Sequence, residues 1–301
     1  MPYLKCVEYN MVVITDSCEA PHERIDIYKV FIVNNVKSYT NDKNFTSWII
    51  DTFDESIGES KYNYFIIDTI FNEAFAHWVF ECAVYLDLFL LLKERYPTLK
   101  LHLKTKRTYK LLFCKLFNIN EEDIVYSLEP SNISFFPSPI SLMNNTDLPQ
   151  EYIEQLRVFF LRFNQYKSKI VSPAILIMPR QSKENYEAND RSYKTENLGE
   201  CFKSTPYEYF HTDTVTDLRD QIHKVSSANR IILTDGSPFL VNGIFAQNAR
   251  ILVIDISTVS QSSFQKKMAE ILKNIKELNN VSYEYYISVD DLHKYLLENE
   301  Y

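Results

Sequence analysis

The stretch on which the fold turns is Arg230-Ile-Ile-Leu-Thr-Asp-Gly-Ser-Pro-Phe-Leu-Val-Asn-Gly-Ile-Phe-Ala-Gln-Asn-Ala-Arg-Ile-Leu-Val-Ile-Asp255. Two β-branched runs, Arg230–Thr234 and Arg250–Asp255, read as buried strands, and the segment between them opens as a helix at Gly236-Ser-Pro. Pro238 suits a first helical turn, where a missing N–H costs nothing. Strand, turn, helix, strand predicts a parallel pair whose faces are covered. The chain has only four glycines, Gly58, Gly199, Gly236 and Gly243, so one placed at this junction carries information.

The same alternation runs outward in both directions. Before it lie a strand within Pro173–Met178, a helix over Asn197–Lys203, a strand over Tyr207–His211 and a helix over Val215–Ser227. After it come a periodic helix over Ser263–Leu278, a strand over Val281–Ile287, and a helix over Asp290–Glu298 capped by Ser288. The first half repeats the theme. Tyr64–Asp68 reads as a strand and Ala74–Arg95 as one long helix stopped by Pro97. Leu99–Leu103, Asp123–Tyr126 and Ile133–Phe136 read as strands, with a helix over Thr108–Phe117. Residues 1 to about 60 read as strands and loops, with runs at Val12 and Val30. Pro149 opens a helix through about Gln165 that joins the halves. The expectation is an α/β chain of two Rossmann-like lobes: residues 1–165, residues 166–287, and a C-terminal helix over 288–301.

Composition narrows the function classes. The 301 residues are 46% hydrophobic and 24% charged, enough apolar mass for two cores. A formal net charge of -8 makes a poor non-specific nucleic-acid binder. The basic run Lys104–Lys110 reads either as a local basic pocket or as a solvated helix start. Cys6, Cys18, Cys82, Cys114 and Cys201 show no paired spacing, which suits a reduced, cytoplasmic setting. The start has no basic region leading into an apolar run, and Ala83–Leu92 is short for a span, so no signal peptide and no membrane span are expected. The scarcity of glycine leaves no GxGxxG loop and no Walker A loop, which removes most dehydrogenases and P-loop kinases and weakens an epimerase reading. His22, His102, His211, His223 and His293 stand isolated, and no metal-ligand spacing is present.

Three groups of residues can carry chemistry. Ligands of open α/β sheets bind at the carboxyl ends of strands. Asp235, Gly236, Ser237 and Pro238 sit at such an end, where a helix N-terminus suits phosphate; an ordinary turn using a glycine angle reads equally well. Arg180 closes the strand ending at Met178, and Arg191 follows in a polar loop. Two guanidinium groups reaching one pocket clamp a diphosphate, while Arg191 alone also reads as merely solvated. Glu73, His77 and Glu81 are spaced by four along one helix face. A carboxylate or imidazole there can deprotonate a hydroxyl, with Asp68 as a lesser rival. The structural alternative is a helix cap at Glu73 and a satisfied histidine beside Trp78.

In this order, these segments resemble glycosyltransferase family 61. Phe75-Ala-His77-Trp78-Val-Phe-Glu81 resembles the family's aromatic–His–Trp segment with its following acidic residue. Ile175-Leu-Ile-Met-Pro-Arg180, then Arg191 to Asn197, resembles its strand followed by two arginines and an asparagine. Thr234-Asp-Gly-Ser-Pro-Phe-Leu-Val-Asn242 stands where the family has His-Gly-Ala-Gly-Leu-x-Asn, with Asp235 in place of the histidine and Ser237-Pro238 in place of Ala-Gly. Val253-Ile-Asp255 resembles its last acidic-ended strand. The resemblance covers about residues 62–260. It implies an inverting transferase of the two-lobed GT-B type, its lobes facing a central cleft, without an essential metal or resident cofactor. The implied donor is a UDP-sugar carrying xylose or N-acetylglucosamine, and the acceptor a glycan hydroxyl. Arg180, Arg191, Asp235, Gly236, Ser237, Pro238 and Asn242 would hold the donor, and Glu73 or His77 would be the base, with Glu73 slightly favoured. The alternative is a non-catalytic glycan- or nucleotide-binding module that retains the fold, and the Asp235 departure speaks for it.

Overall fold

The computed structural model describes residues 30–34, 63–67, 75–127, 133–137, 150–170, 174–178, 202–203, 205–254, 263–286 and 288–298. The expected strand at Val12, most of the helix over Asn197–Lys203, and Asp68, Glu73, Arg180 and Arg191 lie outside these residues. The chain divides into two compact units, Met1–Leu156 and Arg157–Tyr301. Both are α/β, each built on one five-stranded sheet.

In the first unit, β1 (Val30–Asn34), β2 (Asn63–Ile66), β3 (Leu99–His102), β4 (Ile124–Val125) and β5 (Ile133–Pro137) line up in the order β1-β5-β2-β3-β4. All neighbouring pairs are parallel except β1 with β5, which is antiparallel from Val30 opposite Pro137 to Asn34 opposite Ile133. Tyr64, Phe65 and Ile66 are buried, as an apolar strand covered on both faces requires.

One expectation is corrected here. The single helix read over Ala74–Arg95 is three pieces: α1 (Phe75–Glu81), a 3-10 turn (Ala83–Tyr85) and α2 (Leu86–Arg95). Cys82 leaves helical geometry at φ -120°, ψ -53°. The break exposes carbonyls at the end of α1, and a distant residue meets one of them: the Tyr152 hydroxyl donates to the Phe80 carbonyl at 2.6 Å. Tyr152 belongs to α4 (Gln150–Arg162) and is fully buried. By length and composition, Phe75–Glu94 is apolar enough to cross a membrane, with a mean hydropathy of 1.6, yet 78% of it is buried inside the protein. That burial, together with the 3-10 interruption, marks a core element.

The second unit is wholly parallel. β6 (Ile175–Met178), β7 (Glu208–His211), β8 (Arg230–Thr234), β9 (Arg250–Ile254) and β10 (Ser282–Tyr286) take the order β10-β9-β8-β6-β7. Between them run α5 (Leu218–Ser227), α6 (Ser237–Phe245) and α7 (Ser263–Asn279), with α8 (Val289–Glu298) closing the chain. With α3 (Thr108–Leu116) in the first unit, these helices cover the sheets. Side chains cap two of them: Asp217 accepts from the Arg219 amide at 2.9 Å, and Ser288 from the Asp291 amide at 3.1 Å. α8 is no separate appendage. Leu292 and Leu296 join Leu176, Ile232, Leu252 and Ile254 in the core of this unit.

Tyr152→Phe tests what the bond to the Phe80 carbonyl contributes to stability. It keeps the ring and strands the Phe80 carbonyl in the core, so the urea midpoint is expected to fall by the equivalent of about 1–3 kcal/mol.

Candidate functional site

Both sheets reverse direction at one strand. In the first, the chain moves from β2 to β3 to β4, then returns to place β5 on the other side of β2. In the second it moves from β6 to β7, then crosses back so that β8, β9 and β10 extend the opposite side. At such a point the loops leaving two neighbouring strands diverge to opposite faces and open a crevice at the carboxyl ends. The first crevice lies between β2 and β5, the second between β6 and β8. The Phe71–Glu81 segment follows β2 and the Asp235–Pro238 segment follows β8. Arg180 comes two residues after β6 in sequence, outside the described residues.

The β8–α6 junction is fixed in detail. The Asp235 amide donates to the Ile254 carbonyl at 3.0 Å, which carries the ladder one residue past β8. The Asp235 carboxylate accepts from the Gly236 amide at 2.7 Å. Gly236 takes φ 83° and ψ -141°, a region open essentially to glycine alone, and a methyl added there would meet no heavy atom within 4 Å. Gly236 is the N-cap of α6 and no side chain caps the helix. The first turn therefore presents backbone N–H groups and the positive end of the helix dipole to half-buried Asp235, Ser237 and Pro238. Thr234 closes β8 fully buried, with a hydroxyl that has no hydrogen-bond partner.

Asn242 has a different place. It is buried, its carbonyl accepts from Gln221 at 2.8 Å, and its amide donates to the Pro238 carbonyl at 2.7 Å. It ties α6 to α5 and fixes the first turn of α6 from within, so it shapes the junction instead of facing a ligand.

In the first unit, His77 lies in the first turn of α1 and Glu81 at its end. His77 Nδ1 is 2.9 Å from a Glu81 carboxylate oxygen, with the two side chains 15% and 0% exposed. A buried carboxylate on Nδ1 orients the ring and favours the tautomer with the proton on Nδ1. Trp78 points the other way, into the core, edge-on to Tyr109 and Phe113 of α3. The Glu73, His77, Glu81 series is thus represented by its last two members, and Glu73 and its rival Asp68 lie outside the described residues.

Two polar groups escaped sequence reasoning, Thr234 and His102, each closing an apolar strand at its carboxyl end. The signal was present in Ile-Ile-Leu-Thr and Leu-Lys-Leu-His. His102 is 2% exposed, its Nδ1 lacks a partner, and burial, then the charges of Lys110 and Lys104, lower its pKa to about 3.

A recess of about 300 Å³ opens at the amino end of the second sheet, beside Lys167, Ser168, Asn229 and Asn248. Its groups bond one another: Lys167 donates to Asn279 at 2.8 Å, the Ser168 amide to Ser226 at 2.7 Å, and Gln247 to the Ser168 carbonyl at 2.5 Å. This knot holds the segment after α4 in place, at the end of the sheet where ligands of this architecture do not bind. Among the described residues no cluster of His, Cys, Asp or Glu is placed to hold a metal ion. Comparison of the chain with protein-family models and with curated proteins gives no match.

Two predictions follow from this geometry. Gly236→Ala gains no clash but keeps the strained backbone, so it should lower stability by about 1–3 kcal/mol in urea unfolding. His102 is held neutral in the folded state and protonates near pH 6.5 when unfolded. Stability is therefore lost as pH falls from about 6.5 toward 3, at up to about 1.4 kcal/mol per pH unit. Unfolding curves at pH 7 and pH 5 should show this loss, and His102→Gln should flatten it.

Proposed function

We propose that the chain is an inverting glycosyltransferase, two-lobed in the GT-B manner with its lobes facing a central cleft. It moves a sugar of the xylose or N-acetylglucosamine type from a UDP-sugar to a hydroxyl of a glycan acceptor. One observation supports this reading above the others: each candidate segment follows one of the two strands that flank the point where the order of its own sheet reverses. Two ligand crevices, one per unit, suit an enzyme with two substrates, and neither is built around a glycine-rich dinucleotide loop.

In this reading the second unit takes the donor. The uncapped start of α6, with Gly236 and Ser237, meets the diphosphate, and Arg180 and Arg191 add positive charge to the leaving group. Donors set in advance around a developing anion contribute about 3–4 kcal/mol each to lowering the barrier. Gly236 matters because no side chain stands between the backbone and the phosphates. Asp235 is tied to the Gly236 amide and to the ladder, so it shapes the turn.

The first unit takes the acceptor. The reaction needs a base that removes the hydroxyl proton as that oxygen attacks the anomeric carbon and UDP departs with the electron pair of the broken C–O bond. His77 suits this role because Glu81 holds its Nδ1 and orients the ring, and Nε2 is the nitrogen that would accept the proton. Glu81 is the positioning residue, and Glu73 is the alternative base.

The test is a transfer and hydrolysis assay over UDP-, GDP- and CMP-sugars, paired with thermal shift. A nucleotide at 100 times its Kd should stabilise the fold by about 2.7 kcal/mol. His77→Ala should lower kcat about 10²–10⁴-fold with the donor KM unchanged. Glu81→Gln should lower kcat less, again without moving the donor KM. Binding without turnover would replace the transferase with a non-catalytic binding module, and no binding of any nucleotide sugar would end the transferase reading and leave only a glycan-binding module. A His77→Ala variant with full turnover would pass the base role to Glu73.

A further inference from the structure

The last strand of the second sheet, β10, reads Ser282-Tyr-Glu-Tyr-Tyr286 and sorts its side chains onto two faces. Glu284 and Tyr286 turn toward α8. The Arg250 guanidinium donates to the two Glu284 carboxylate oxygens at 2.9 and 2.8 Å and to the Tyr295 hydroxyl at 2.6 Å. The Tyr286 hydroxyl donates to Glu284 at 3.0 Å, and its ring packs on Tyr295 with centres 5.3 Å apart. The residues on either side of Tyr285 are therefore tied down from behind.

Tyr283 and Tyr285 turn to the opposite face, where they meet α6. Both rings pack on Phe239, with centres 5.6 and 6.0 Å apart, and on each other at 5.9 Å. Phe239 is buried and Tyr283 half-buried, but Tyr285 is 46% exposed, more than any other Trp, Tyr or Phe among the described residues. A core contact on one side and water on the other make it a fixed aromatic surface.

Phe239 places that surface beside the candidate site. It stands in the first turn of α6, two residues after Ser237. Helical side chains lean toward the N-terminus, so its ring lies over the start of the helix. Tyr285 is the next-to-last residue of β10, level with Val253 of β9, which pairs in turn with Leu233 of β8. It belongs to the same carboxyl end of the sheet as the β8–α6 junction. Strands lie about 4.8 Å apart, so β10 runs about 10 Å from β8. It does so on the side away from the crevice between β6 and β8. A nucleoside diphosphate with its phosphates at the start of α6 and its reacting end toward the crevice would direct its base to this side.

We propose that Tyr285 is the platform on which the nucleobase of the donor rests, and the residue by which the second unit distinguishes a nucleotide from a bare diphosphate. This deepens the transferase reading and rests on its placement of the diphosphate at α6. Phe239 and Tyr283 hold the ring in position, and the Arg250–Glu284 pair holds the strand beneath it. Every base has a π-face, so the platform adds affinity for the base without choosing among bases.

The test titrates UDP and inorganic pyrophosphate against the full chain by calorimetry. Wild type is compared with Tyr285→Ala, with Tyr285→Leu, which keeps apolar bulk against Phe239, and with Tyr285→Trp, which keeps an aromatic face. UDP should bind Tyr285→Ala and Tyr285→Leu about tenfold more weakly or worse. Tyr285→Trp should keep the affinity of wild type, and pyrophosphate should not distinguish the four proteins. Unchanged UDP affinity in the Ala and Leu variants overturns the platform. So does an equal loss for pyrophosphate, or a loss in the Trp variant as large as in the Ala variant, since either marks a merely structural role. Sugar transfer by wild type with unchanged UDP affinity in Tyr285→Ala would sink the platform and leave the transferase standing. The expected UDP losses without turnover of any nucleotide sugar would sink the transferase and leave the platform. Failure of wild type to bind UDP would end both.

Discussion

Parallel strands joined by covered crossovers can reverse their order only by sending one connection across the opposite face of the sheet. Each unit does this once, at β2 in the first sheet and at β6 in the second. The candidate groups at the β8–α6 junction and on α1 both depend on that reversal. Where the order is regular, the loops above neighbouring strands lean to the same face and close on each other. At the reversal they part, and strand ends and helix starts are left accessible. Gly236, the start of α6 and the first turn of α1 stand at the strand ends where the path of the chain parts.

The local chemistry refines what the topology permits. At the β8–α6 junction, the backbone conformation of Gly236 turns the chain so that uncapped amides point outward, while the Asn242 bonds to Gln221 and Pro238 hold the turn from inside. At α1 the arrangement is inverted: the buried member is the carboxylate of Glu81 and the more exposed one the imidazole of His77. One site offers backbone donors and the other an imidazole whose Nδ1 is held by Glu81. That pairing matches the needs of a leaving diphosphate and of a hydroxyl that must lose its proton.

Much of the fold was legible because short-range patterns decide it. The β8 run Arg230–Thr234 keeps its expected ends, and Ser288 caps α8 as its position before Asp291 suggested. The break after Glu81 was not legible in the local pattern, and the hydroxyl that meets the Phe80 carbonyl there belongs to Tyr152, 72 residues away, which reads locally as one more helical aromatic. Strand order was equally hidden, since nothing in the sequence near β6 announces that β8 will flank it. The same limit applies to the site. Asn242 matched a ligand pattern, yet its partners are Gln221 and Pro238, which only the packing of α5 on α6 reveals. His102 read as isolated because its neighbours in space, Lys104 and Lys110, looked like the solvated start of a helix.

The charge distribution gives those lysines a meaning beyond the helix start. A chain of net charge -8 repels anions at long range, and screening at physiological salt confines attraction to about 8 Å. A cluster of cations on such a protein cannot draw anions through the overall field, so it acts only on a group already within that reach. Solubility alone would be served as well by scattered charges of either sign. Carrying Lys110 into the core beneath Trp78 serves no solvation purpose at all, because a buried ammonium costs free energy unless something nearby uses it. The Thr105 hydroxyl and the Trp78 ring are among the groups that meet the Lys110 ammonium there.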